Sequence, residues 1–174
     1  MSRVGSKGRS FKPISRTDLK RLTDIARKDR EGFFQSHPQW AKSYGNRVVC
    51  VALCQGAALH YVNGKTGIND FDLYSFYKEH PSMNWYAKRI KSYDFGNPKF
   101  GKSVDKPNFI GRRVDCLGRS IGVNRNESPI EAIIRYLQEG KTETARLISL
   151  KAVVLLEPNC GRIVWPVQQE DKTW

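Results

Sequence analysis

The 174-residue chain is long enough for one domain with a hydrophobic core, and 39% hydrophobic with 11% aromatic residues excludes general disorder. Its longest apolar runs, such as 152–156, are too short to cross a bilayer, and no apolar stretch follows the basic N-terminus as a secretory signal would require. A formal net charge of +13 draws polyanions, so nucleic acid, RNA foremost, is an expected partner and a membrane is not. Cys50, Cys54, Cys116 and Cys160 form no CxxC pair, which implies free thiols in a reducing cytoplasm rather than a zinc site.

Residues 1–16 carry Arg3, Lys7, Arg9, Lys12 and Arg16 with no acid and are expected to form a flexible basic arm; residues 17–174 are expected to form a single domain. Thr17 can cap a helix in which Leu19, Leu22, Ile25, Ala26 and Phe33 make the apolar stripe, ending at His37-Pro38. Val48 to Leu53 is short, β-branched and almost wholly apolar, as a buried central strand would be. Gln55-Gly56-Ala57-Ala58 then turns into a short helix, and residues 63–67 form a turn. Asp70 to Tyr77 has strand propensity.

The stretch 78–109 is rich in Pro and Gly and is expected to be a long irregular loop. It interleaves aromatics such as Trp85 with Lys88, Arg89, Lys91, Lys99 and Lys102, a pattern suited to stacking and phosphate contact with single-stranded nucleic acid. A basic loop with its aromatics on the core accounts for the same pattern equally well. Arg113 to Ile121 is expected to be a strand. Ser128-Pro129-Ile130-Glu131 carries the signature of a capped helix start, with Gly140 as its stop. A second helix is expected from about Thr142 to Leu156, and a last strand from Arg162 to Val167.

Asp70 and Asp72 fall two apart on one strand and so share a face, while Phe71 and Leu73 pack behind them. Paired carboxylates repel unless a cation lies between them, and hard oxygen ligands select Mg²⁺ or Mn²⁺. Asp115 has the same setting, one acid between apolar neighbours. If its strand lies beside Asp70 and Asp72, the three acids can hold two metals.

An apolar strand ending at Gln55-Gly56-Ala57, then Asp70-Phe71-Asp72-Leu73, then Asp115, resembles the nucleotidyltransferase superfamily typified by DNA polymerase beta, kanamycin nucleotidyltransferase and the minimal nucleotidyltransferases. The resemblance covers about residues 45–120. The chain is also similar to a group of bacterial proteins with a QGAALHY–DFD–RRVDxLGRS pattern. The superfamily resemblance implies an α/β (α+β) fold with a short mixed sheet and flanking helices. It implies metal ligation by Asp70 and Asp72, with Asp115 as third ligand or general base. Gln55, Gly56 and Ala57 would meet the phosphates of a nucleoside triphosphate at a helix N-terminus. Ala57 stands where many members have Ser, so one hydroxyl contact is missing.

Arg112, Arg113 and Arg119 flank Asp115, and arginine suits bidentate phosphate binding; those that alternate with Asp115 could face a triphosphate, with a solvated edge as the competing account. Lys151 either snorkels from its apolar segment or reaches the triphosphate. His60 suits core packing better than catalysis. The expected activity is metal-dependent transfer of a nucleoside monophosphate to RNA, possibly tRNA. The alternatives are a non-catalytic RNA-binding module on the same fold and a two-metal nuclease. So short a chain leaves little room for an acceptor domain, so a second copy or a protein partner is expected to complete the site.

Overall fold

The computed structural model describes residues 8–85 and 89–167. Helices α1 (Arg16–Ser36) and α2 (Pro38–Tyr44) precede β1 (Val48–Cys54), α3 (Gln55–Asn63) and β2 (Phe71–Lys78). Then come β3 (Ile90–Asp94), a single 3₁₀ turn (Pro98–Phe100) and β4 (Arg113–Ile121). Helices α4 (Pro129–Glu139) and α5 (Glu143–Ser149) lead to β5 (Val153–Glu157) and β6 (Ile163–Trp165). The strands form one open mixed sheet of six, ordered β3-β4-β2-β1-β5-β6. Only the β2–β4 pair is parallel; every other neighbouring pair is antiparallel.

Alternation along the central strands separates two cores. Val51, Leu53, Phe71, Leu73, Val114 and Cys116 face α1 and α3. Cys50, Ala52, Tyr74, Phe76, Leu117 and Ile121 face α4 and α5. The central strands are therefore covered on both sides, which is why β1 is apolar nearly throughout. Each large side chain so buried contributes about 1.5–3 kcal/mol.

Sequence signals set most element ends. Ser128 and Glu131 form a reciprocal capping box at α4, and Gly140 closes that helix in a left-handed conformation. In α1 the cap is Ser15 rather than the expected Thr17, because Ser15 and Asp18 satisfy each other's backbone donors.

Three further expectations fail. The arm expected to be flexible is docked from Gly8 onward: Ser10 pairs with Ile68 (3.0 and 2.7 Å), Arg112 donates to the Gly8 carbonyl, and Ile14 is buried. Residues 1–7 of that arm lie outside the described residues. The stretch 78–109 is not wholly irregular, since β3 pairs along β4 within it. The helix expected over 142–156 ends at Ser149, and residues 153–157 form β5 instead. Val153, Val154 and Leu155 are fully buried against β1, and β-branched residues favour that extended setting.

Candidate metal and nucleotide site

The end of the sheet where β1 stops and β2, β4 and β5 begin gathers the chemistry. Parallel pairing sets Asp72 directly beside Asp115, and antiparallel pairing sets Cys54 beside Asp72 on the other flank. Asp70, two residues earlier, lies just ahead of β2. One carboxylate oxygen from each of Asp70, Asp72 and Asp115 lies within 4.8 Å of the other two. The three candidate ligands of the sequence therefore come together.

Arg113 runs through this cluster. Its Nη2 lies 2.5 Å from Asp70 Oδ2 and its Nε 3.2 Å from Asp115 Oδ2, while Nη1 reaches Asp105. The Nε contact is an ion pair without hydrogen-bond geometry. Ser92 Oγ donates to Asp115 Oδ1 at 2.7 Å, from the neighbouring edge strand β3. Among the described residues Asp72 has no such donor. Burial, then the charges of Asp70 and Asp115, push its carboxyl up to about 7, against the partial relief of Arg113 and Lys151. Carboxylates packed against mutual repulsion, all hard oxygen donors, fit a divalent cation such as Mg²⁺ or Mn²⁺.

The Gly turn adjoins the cluster. Cys54 caps α3 in extended backbone, and Gln55 follows at φ +64, a left-handed value that costs a non-glycine residue about 1–2 kcal/mol. Burial pushes the Tyr74 hydroxyl up to about 12, against partial relief from Arg119 and the Gln55 side chain. A Cβ built on Gly56 would lie 3.8 Å from Lys151 Nζ, so the ammonium sits over the turn. Lys151 occupies the link between α5 and β5, not a helix interior as its surroundings in the sequence suggested. Ala57 is buried with its methyl in the α1–α3 core.

Other candidates lie elsewhere. Arg119 is about 13 Å further along β4 from Asp115 by strand rise. It donates to Thr144 Oγ1 (2.9 Å) and to the Gly118 carbonyl (2.7 Å), with its guanidinium over the Tyr74 ring. Trp85 is 6% exposed within a cluster of Phe33, Phe34, Trp40, Tyr44 and Tyr77, so its ring has no open face for a base. Arg89 grips Asp29 in a two-pronged pair (2.9 and 2.6 Å), and Lys99 holds Asp18 at 2.6 Å. Lys91 lies over Tyr93, and Lys102 reaches the Pro107 carbonyl at 3.5 Å. Lys88 lies outside the described residues. Of the bases expected to contact nucleic acid, Arg89 and Lys99 are thus engaged in holding the loop to α1.

His60 is buried and structural. The Gly67 N–H donates to its Nδ1 (3.0 Å), so Nε2 carries the proton and donates to the Lys12 carbonyl (3.0 Å). The contributions of Ser92 and Asp105 gave no signal in the sequence, since both fell in the segment expected to be a loop. Arg112, 5% exposed, donates to the carbonyls of Phe100 (2.6 Å) and Asn69 (3.3 Å) and so fixes the residue before Asp70. Among the described residues no helix is long and apolar enough to cross a membrane. No protein-family profile matches the chain, and neither a curated protein nor a solved structure matches it.

Proposed function

We propose that the chain is a metal-dependent nucleotidyltransferase, built on the nucleotidyltransferase fold, which moves a nucleoside monophosphate from a nucleoside triphosphate to an acceptor on RNA. The observation that carries this reading is the convergence of Asp70, Asp72 and Asp115 within 4.8 Å, beside a helix N-terminus overhung by Lys151. Asp70, Asp72 and Asp115 would hold Mg²⁺ or Mn²⁺. Bound there, the cations supply activation of the acceptor hydroxyl and neutralise charge on the triphosphate.

The residues of the chain divide the remaining work. Gly56 lets the backbone approach the phosphates, and the first N–H groups of α3 point toward negative charge. The Lys151 ammonium lies where a triphosphate on that turn would need a counter-charge. Ser92 and Arg113 hold the Asp115 carboxylate in place. The acceptor oxygen bonds to the α-phosphorus, the bond to pyrophosphate breaks, and the acceptor's proton leaves to Asp115 or to water.

One observation favours a second reading. Arg113 already neutralises Asp70 and Asp115 with its own guanidinium, which suits a non-catalytic RNA-binding module. A transfer assay separates the two. Each labelled nucleoside triphosphate is offered with Mg²⁺ or Mn²⁺ and total RNA. The transferase labels RNA and releases pyrophosphate, and an Asp70→Ala/Asp72→Ala variant does not. No label from any nucleotide, with RNA bound equally by both proteins, would refute the transferase.

A further inference from the structure

The exposed face of α1 carries more positive charge than its neighbours balance. Arg16, Lys20, Arg21 and Lys28 are all exposed, and none has an ion-pair partner among the described residues. The two exposed acids of the same helix, Asp24 and Glu31, are outnumbered by the exposed bases Arg16, Lys20, Arg21, Arg27 and Lys28. Asp18 is buried on Lys99 and Ser15, Asp24 lies 3.5 Å from Arg27, and Asp29 is held by Arg89. Arg16 and Lys20 are one helical turn apart, a spacing at which like charges destabilise a helix by a few tenths of a kcal/mol. A surface that retains such a cost is one where an outside anion can offset it.

The face is also shaped. Lys20, Arg21 and Lys28, with Thr17, Ile25, Phe95 and one acid, Asp24, line an open groove of about 410 Å³. Its wall is fixed, because Arg21 donates to the Phe95 carbonyl (3.3 Å) and lies over the Phe95 ring. From Arg16 to Lys28 the axis spans about 18 Å, enough for several successive phosphates. The groove lies on the α1 side of the sheet, and its Phe95 is tied to the start of the strand that carries Asp115. The Phe95 N–H donates to the Arg112 carbonyl, and the next residue, Arg113, touches Asp70 and Asp115.

The geometry points to the α1 face as the track for the phosphodiester backbone of single-stranded RNA, with Arg16, Lys20, Arg21 and Lys28 as phosphate contacts. The choice of RNA rests on the proposed transferase reading; charge complementarity and the groove carry the placement. This interface differs from the 85–102 loop that the sequence suggested, where Trp85 is enclosed and Arg89 and Lys99 are paired.

The test is salt-dependent binding of a labelled single-stranded RNA to the full chain, followed by fluorescence anisotropy. Four phosphate contacts give a slope of log K against log salt of about −3, so these contacts alone weaken binding roughly fifty-fold between 50 and 200 mM salt. Lys20→Gln/Lys28→Gln is expected to flatten the slope by about 1.4. Lys42→Gln/Lys78→Gln removes the same charge elsewhere on the surface and is expected to leave the slope unchanged. Equal flattening in both double variants would mean that net charge, not this face, binds RNA, and would overturn the inference. A DNA strand of the same sequence bound as tightly as RNA would overturn the choice of RNA, because phosphate contacts alone do not read the sugar. If the transfer assay fails while the slopes behave as stated, the track stands and the transferase falls; the converse result removes the track alone.

Discussion

The Asp72→Asn variant gives the sharpest physical test of the acidic cluster. In the metal-free protein the Asp72 carboxyl rises from 3.8 to about 7 through burial and the charges of Asp70 and Asp115. A raised carboxyl favours folding while it keeps its proton. Its contribution is full below the unfolded value near 3.8 and is lost as pH rises to the folded value near 7. Above that, the ionised cluster costs about 4 kcal/mol, from roughly three units at 1.36 kcal/mol each. About two of those units fall between pH 5 and pH 7. The stability of Asp72→Asn relative to the native chain should therefore grow by about 3 kcal/mol over that interval and then level off. For a chain of this size the growing difference corresponds to about 6–12 °C in Tm. Thermal melts of both proteins in chelator, from pH 5 to pH 8.5, read it directly. Taking the change with pH cancels any fixed cost of the amide. Mg²⁺ or Mn²⁺ at pH 8.5 should raise the Tm of the native chain and act more weakly on the variant. A difference that stays flat with pH would mean that the three carboxylates do not crowd one another, and the site would lose its physical basis.

Other residues make independent checks. A Cβ at Gly118 would lie 2.4 Å from Trp85 Nε1, inside the aromatic cluster, so Gly118→Ala should cost about 1–3 kcal/mol in urea unfolding. Asp29→Asn should cost about 3–5 kcal/mol in the same assay, because it strands the Arg89 charge where Asp29 is 5% and Arg89 14% exposed. An unchanged midpoint would show that Arg89 finds water instead. Burial pushes the Cys50 thiol up to about 12 and raises Cys54 and Cys116 as well, whereas Cys160 is only partly buried. Iodoacetamide at mildly alkaline pH should label Cys160 alone in the folded protein and all four thiols in urea, as peptide mapping would show.

The acids that define the site were legible because strand geometry converts sequence spacing into direction. Asp70 and Asp72 had to share a face once Phe71 and Leu73 were buried behind them. The register that brings Asp115 alongside was not legible, because pairing between β2 and β4 is a contact over some forty residues that no local signal specifies. The failure at residues 150–157 has a different cause. A continuous apolar run such as AVVLL fits a buried helix and a buried strand alike, and only its pairing with β1 decides. That decision matters for chemistry: β5 begins at Val153 beside Cys54, which brings the preceding Lys151 over the Gly56 turn.

The basic residues show the same limit. The sequence pattern pointed to the 85–102 segment and passed over α1, yet ion pairing favours α1. Arg89 and Lys99 spend their charge on Asp29 and Asp18, acids of α1 itself. Each pair formed there removes a carboxylate that could have offset a base on the outer face of the helix. The loop is thereby fixed to α1, and Arg16, Lys20, Arg21 and Lys28 are left as net positive charge facing outward. The arrangement that costs the loop its free cations is the one that makes α1 a phosphate-binding surface.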